Sequence, residues 1–111
     1  MQKKTLREVC NMVGISRRAV QGYEKLGLVT SSGKNKYGYL LYDEEATEKI
    51  RAIKQYQEFG FTVKEIKELL EAPEKVYVEM MNAKLAVMKQ RFMDLEANIS
   101  QMEDLLSEKK R

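Results

Sequence analysis

The stretch TLREVCNMVGISRRAVQGYEKLG, residues 5–27, contains two helix starts and two helix stops. Thr5 followed by Glu8 is a capping box, in which the hydroxyl takes a free backbone amide and the carboxylate reaches back. Leu6, Val9, Cys10 and Val13 then share one apolar face, and Gly14 supplies the stop. Ser16 caps a second helix after Ile15. That helix carries Arg17 and Arg18 outward and places Ala19, Val20, Tyr23 and Leu26 largely inward, and Gly27 ends it. Two short helices joined by a tight glycine-containing turn, the second opening on paired arginines, read as a helix-turn-helix.

Downstream, residues 30–38 are rich in Ser, Gly, Lys and Asn and form a loop or hairpin tip. Tyr39-Leu40-Leu41-Tyr42 reads as a short strand on the strength of its β-favouring tyrosines. Paired with Leu28-Val29 it makes a two-stranded wing with Lys34 and Lys36 at its tip. Asp43 caps a third helix, Glu44 to Phe59, with Ala46, Ile50, Ile53 and Tyr56 inward, and Gly60 closes it. Thr62, with Glu65, caps a fourth, Val63 to Leu70. Ala72-Pro73 breaks the chain before a long helix that starts near Glu74. The fold class is mainly α: a winged helix-turn-helix domain over residues 1–72 with a small two-stranded wing, followed by a long C-terminal coiled-coil helix over residues 74–109.

In that last helix one apolar residue recurs at alternating steps of three and four: Val78, Met81, Leu85, Met88, Phe92, Leu95, Ile99, Met102 and Leu106. An unbroken heptad seam needs a partner helix. The chain offers no second long helix, so the partner is a second copy and the protein is expected to be a homodimer. With Val78 as position a, the e positions are Asn82, Lys89, Glu96 and Glu103, and the g positions include Lys84, Arg91 and Asn98. Positive charge flanks the first half and negative charge the second. Antiparallel packing sets Lys89 near Glu96 or Glu103 of the partner, whereas parallel packing sets like beside like, so an antiparallel coil is expected, each pair contributing a few tenths of a kcal/mol. A second stripe, Tyr77, Met80 and Val87, lies beside the first half of the seam. It packs on the DNA-binding domain or docks another protein.

Charge is unevenly spread. Residues 1–42 carry +6, residues 43–73 carry −3 and residues 74–111 are neutral, within a net +3. A basic first third suggests a polyanion-binding module. Arg17 and Arg18 open the recognition helix, where side chains reach base edges or flanking phosphates. Gln21 lies one turn on and can meet a base edge or a phosphate. Tyr23 either places its hydroxyl on a phosphate or serves as a core ring. Lys34 and Lys36 of the wing meet phosphate, and Tyr39 contacts DNA or supports the hairpin. The candidate DNA-binding set is therefore Arg17, Arg18, Gln21, Tyr23, Lys34, Lys36 and Tyr39, and the partner is double-stranded DNA.

Other classes are disfavoured. There is no histidine and one cysteine, so imidazole acid–base chemistry and ordinary zinc sites are not expected, and no enzyme, cofactor or metal is assigned. Cys10 lies on the inner face of the first helix and reads as a buried structural thiol. Met81, Met88 and Met102 fall at d positions, which makes them core residues rather than soft-metal ligands. No apolar run is long enough for a membrane span or signal peptide, and one cysteine fits a cytoplasmic location.

The chain from Thr5 to Leu70 resembles the MerR family of bacterial transcription regulators. The resemblance rests on blocks in register: Thr5-Leu6-Arg7-Glu8-Val9, Gly14-Ile15-Ser16-Arg17-Arg18-Ala19-Val20, Tyr23-Glu24-Lys25-Leu26-Gly27-Leu28, Gly38-Tyr39-Leu40-Leu41-Tyr42-Asp43 and Phe59-Gly60-Phe61-Thr62-Val63-Lys64-Glu65-Ile66. It implies a winged helix-turn-helix, a homodimer, a pseudo-palindromic operator, Arg18 as the family's arginine in its turn, and RNA polymerase as a further partner. Two departures stand out. The family usually has Arg-Tyr-Tyr where this chain has Gln21-Gly22-Tyr23, and Gly-Tyr-Arg where it has Gly38-Tyr39-Leu40. Two arginines expected at phosphates are thus absent, and each lost contact weakens DNA binding and flattens its salt dependence. Metal-sensing relatives carry cysteines near the end of the dimerisation helix, where this chain has none. The sequence stops soon after that helix, so no small-molecule effector is expected. The function read from the sequence is a dimeric, sequence-specific transcription regulator. The alternatives are an architectural or excisionase-like accessory factor and a protein-interaction adaptor.

Overall fold

The computed structural model describes residues 2–110, which divide into two units, residues 2–71 and 72–110. The elements of the first are β1 (Lys4–Thr5), α1 (Leu6–Val13), α2 (Arg17–Lys25), β2 (Leu41–Tyr42), α3 (Glu44–Glu58) and α4 (Val63–Glu71); the second holds α5 (Glu74–Lys109). The capping box at α1 is formed: the Glu8 amide donates to Thr5 Oγ1 at 3.3 Å, and the Thr5 amide to Glu8 Oε1 at 3.0 Å. Gly14 ends α1 at φ +75°, a left-handed conformation that a Cβ would strain, and its amide reaches Cys10 O at 2.9 Å. Lys54 Nζ on α3 donates to Val13 O at 3.0 Å, so the turn between α1 and α2 is tied from below by a third helix. Ser16 Oγ accepts from the Ala19 amide at 3.1 Å and opens α2. Asp43 and Thr62 cap α3 and α4 in the same manner.

These caps give α1 to α4 short, defined lengths, and their apolar faces converge. Val9, Val20, Tyr42, Ile50, Ile53 and Ile66 have no exposed surface, and Tyr23 and Leu69 have 2%. Tyr56 adds edge-on ring contacts to Phe59 and Phe61 with centroids 6.5 and 6.3 Å apart. Leu26 departs from its expected inward place: it is 50% exposed. It sits at the end of α2, where Gly27 in the left-handed region turns the chain and gives the core position to Leu28.

The wing exists, but its arms differ from the expected ones. Leu28 and Val29 are both 4% exposed and lie in no strand; both pack into the core. The arm facing Leu40 and Leu41 is instead the polar run from Ser32 to Lys34. Ser32 N–H donates to Leu41 O at 2.7 Å, Leu41 N–H to Gly33 O at 2.8 Å, and Lys34 bridges Leu40. Only Leu41–Tyr42 of the expected four-residue strand is regular, and it pairs on its other edge with β1, Lys4 opposite Tyr42 and Thr5 opposite Leu41. The tip is held by Asn35, whose Oδ1 accepts the Tyr37 and Tyr39 amides at 2.9 and 3.1 Å.

The second unit is one helix of 36 residues, about 54 Å long at 1.5 Å per residue. None of its residues is buried. Along the heptad seam Phe92, Leu95, Met102 and Leu106 are each more than half exposed, and Met81 is half-buried. No helix among the described residues is long and apolar enough to cross a membrane.

Candidate nucleic-acid interface

Ser16 sets the start of α2, and with it Arg17 and Arg18 as the first two helical residues, both exposed. Gln21 is exposed one turn further along. Gly22 lies beside it with open space where a Cβ would stand. Lys36 is exposed near the wing tip with Nζ 5.1 Å from the centroid of the Tyr37 ring, and Lys34 is exposed in the arm opposite Leu40. Tyr39 is 63% exposed on the returning arm.

The structure brings part of this set together. A cleft of about 350 Å³ is bounded by residues 5–7 of β1 and α1, Arg17 of α2 and residues 38–40 of the wing. Arg17 and Tyr39, 22 positions apart in sequence, face the same cavity. Arg18, Gln21, Lys34 and Lys36 are exposed on α2 or the wing outside its walls. Arg7 also lines the cleft, and it is absent from the sequence-derived set. It reads in sequence as an ordinary residue in the first turn of a capped helix. Its approach to the wing depends on β1 pairing with β2 across 36 positions, which no local pattern announces.

Tyr23 is a core residue. It is 2% exposed, and its hydroxyl donates to Gln57 Oε1 at 2.5 Å. The reading of its hydroxyl on a phosphate therefore gives way to the core-ring reading, in which it joins α2 to α3. A second tie comes from Tyr42, whose hydroxyl donates to Glu24 Oε1. Burial, and then the bond to Glu24, push the Tyr42 hydroxyl far above the usual tyrosine range, so it stays protonated as a donor. Glu24 is the lone carboxylate on α2, and this bond occupies it. The exposed face of α2 keeps its arginines and Gln21. Cys10 is half-buried rather than fully buried; burial raises its thiol pKa, with Arg17 opposing the shift, so the thiol is favoured over the reactive thiolate.

Two family models match the chain: "MerR HTH family regulatory protein" over residues 4–73 and "MerR, DNA binding" over residues 47–110. The mercuric resistance operon regulatory protein of Bacillus cereus is 33% identical over 63 residues, covering 57% of this chain and 48% of that protein. The chain thus spans about half of that relative's length, and 28% of the length of the HTH-type transcriptional activator mta of Bacillus subtilis, which is 32% identical over 71 residues. Among solved structures, the N-terminal part of the Bacillus subtilis multidrug transporter activator is 28% identical with a TM-score of 0.66, covering 90% of this chain and 97% of that one. HiNmlR, described as a MerR family regulator lacking the sensor domain and bound to promoter DNA, has a TM-score of 0.74 at 17% identity, covering 96% of this chain and 89% of that one; at that identity the likeness is one of fold.

Proposed function

We propose that this chain, which belongs to the MerR family of helix-turn-helix regulators, is a transcription regulator that binds duplex DNA as a homodimer on a pseudo-palindromic site. The observation that carries the reading is the pairing of an arginine-led, exposed α2 with a lysine-bearing wing on the same small domain. α2 enters the major groove with Arg18 and Gln21 toward base edges. Arg17, Lys34, Lys36 and Tyr39 hold flanking phosphates. Phosphate contacts set position and salt dependence, and base contacts set sequence. Tyr23 and Tyr42 contribute indirectly, by fixing α2 to Gln57 and through Glu24. HiNmlR bound to promoter DNA supports this reading by fold.

The homodimer is read from α5. A 36-residue helix with no buried residue leaves a nine-position apolar seam facing water, and a second copy covers the seam. The flanking charges favour an antiparallel pair. Selection from a random duplex pool tests binding, symmetry and spacing together. The expected product is an inverted pair of half-sites at fixed separation, bound by a species that sediments as two chains. Enrichment of nothing, or of a single unrepeated half-site bound by one chain, refutes the reading.

A further inference from the structure

We propose that the cleft between the start of α1 and the wing seats one backbone phosphate of duplex DNA, with Arg7 as the cation that reaches it from α1. This rests on the duplex-binding reading above and extends it to a residue outside both the recognition helix and the wing. The walls carry two guanidinium groups, Arg7 and Arg17, and the Tyr39 side chain, and no carboxylate. Arg51 pairs with Glu48 and Lys54 with Glu58, and neither arginine of the cleft takes part in an ion pair among the described residues. Both arginines are exposed and carry the same sign, so an anion in the cleft is attracted by each. The guanidinium fork matches phosphate oxygens in a way a lysine ammonium does not.

Glu8, adjacent in sequence to Arg7, is engaged elsewhere: its carboxylate accepts from the Thr5 amide and hydroxyl at 3.0 and 3.1 Å. The same capping box fixes the first turn of α1 and the place of Arg7 in it. The wing wall is held across from that turn by the β1–β2 register, Thr5 opposite Leu41. The wing offers Leu40 here and no cation of its own, so the positive charge comes from α1 and α2. A free phosphate ion shares this chemistry. The position of the cleft, lined by the first residue of α2 and by the wing arm, favours a phosphate within a polymer that also meets those elements.

The test uses the full chain as wild type, Arg7→Ala, Arg7→Lys and, as a surface control, Arg51→Ala. Binding to a fluorescent mixed-sequence duplex is followed from about 50 to 200 mM salt. One phosphate contact contributes about 0.9 to the slope of log K against log salt, so Arg7→Ala is expected to flatten the slope by that amount per bound chain, and wild type to lose roughly 3.5-fold more affinity per chain over this range. Arg7→Lys keeps the slope, Arg51→Ala follows wild type, and thermal unfolding is unchanged in all. A wild-type slope in Arg7→Ala, with wild type still binding duplex, overturns this site and leaves the duplex-binding reading standing. Failure of wild type to bind at the lowest salt overturns both. If inorganic phosphate shifts the Arg7 Nε resonance as strongly as duplex does at equal phosphate concentration, the site belongs to a small anion and the duplex assignment fails.

Discussion

In the first unit Val9, Val20, Ile50, Ile53 and Ile66 have no exposed surface, whereas in α5 Phe92 is 62% exposed and no residue is buried. Both units are helical and comparably rich in apolar side chains. The first arranges four helices of 8 to 15 residues so that their apolar faces meet, and each is started by a side-chain cap. The second strings nine apolar residues along a seam of a single rod, with Pro73 at its start making no side-chain cap. Periodicity alone does not bury anything. Burial needs a second surface, which the first unit finds within itself and which, in the proposed dimer, a second copy supplies to α5.

That contrast can be broken most severely in α5. Phe92→Ala is expected to weaken association by about 3–5 kcal/mol per subunit, the usual cost of truncating a packed Phe, while leaving the first unit folded. Sedimentation and far-ultraviolet circular dichroism read the two effects, and an unchanged dimer constant would show that the seam is not the contact. Ile50→Ala reverses the pattern: the first unit loses roughly 2–5 kcal/mol and the dimer persists. A single cooperative transition lost as a whole in either variant would mean that the units do not fold separately.

Smaller effects probe how α2 is held. Tyr42→Phe removes the donor to Glu24 and leaves a part-buried carboxylate unpaired, with an expected cost of about 1–3 kcal/mol in the first unit and weaker duplex binding. The stability of that unit also depends on pH at both ends. Asp43, held low by the Ala46 amide and then Ser32, and Glu8, held low by the Thr5 amide and hydroxyl, have carboxyl groups depressed in the folded state. Their contribution is present above the ordinary carboxylate range and is lost as pH falls through it toward the depressed values. Tyr42, raised mainly by burial, has the opposite sign: stability is lost as pH climbs above the ordinary tyrosine range, where the unfolded chain ionises first. Urea midpoints of the first unit should fall at both extremes, and a flat profile in the acid limb would show that the two caps do not contribute. The smallest expected change is a gain. Gly22→Ala fills open space in α2 and should stabilise it by about 1 kcal/mol, seen as a rise in melting temperature.

Much of the helical framework is legible from local chemistry. Thr5, Ser16, Asp43 and Thr62 each act as the cap that their position before an apolar periodic run implies, and Gly14 and Gly27 end helices in the left-handed region. One arm of the wing is not legible in this way: Leu28-Val29 looks like a strand by composition, whereas the arm that forms, Ser32 to Lys34, has no apolar pattern and is defined only by hydrogen bonds to Leu41 and the bridge to Leu40. For the candidate interface, the exposure of Arg17, Arg18, Gln21, Lys34, Lys36 and Tyr39 follows from polarity, amphipathic spacing and their place in a loop. The inward turn of Tyr23 does not, because its partner, Gln57, lies 34 residues away.

Helix identity, helix ends, the seam of α5 and the cationic opening of α2 were written in residues three or four apart, because caps and amphipathic faces are short-range effects that survive without the rest of the molecule. The partner of β2, the exposure of Leu26, the burial of the Tyr23 hydroxyl and the convergence of Arg7, Arg17 and Tyr39 on one cleft were decided only when distant segments packed. Those features depend on which surfaces exclude water together, and that competition among segments is settled by the whole domain.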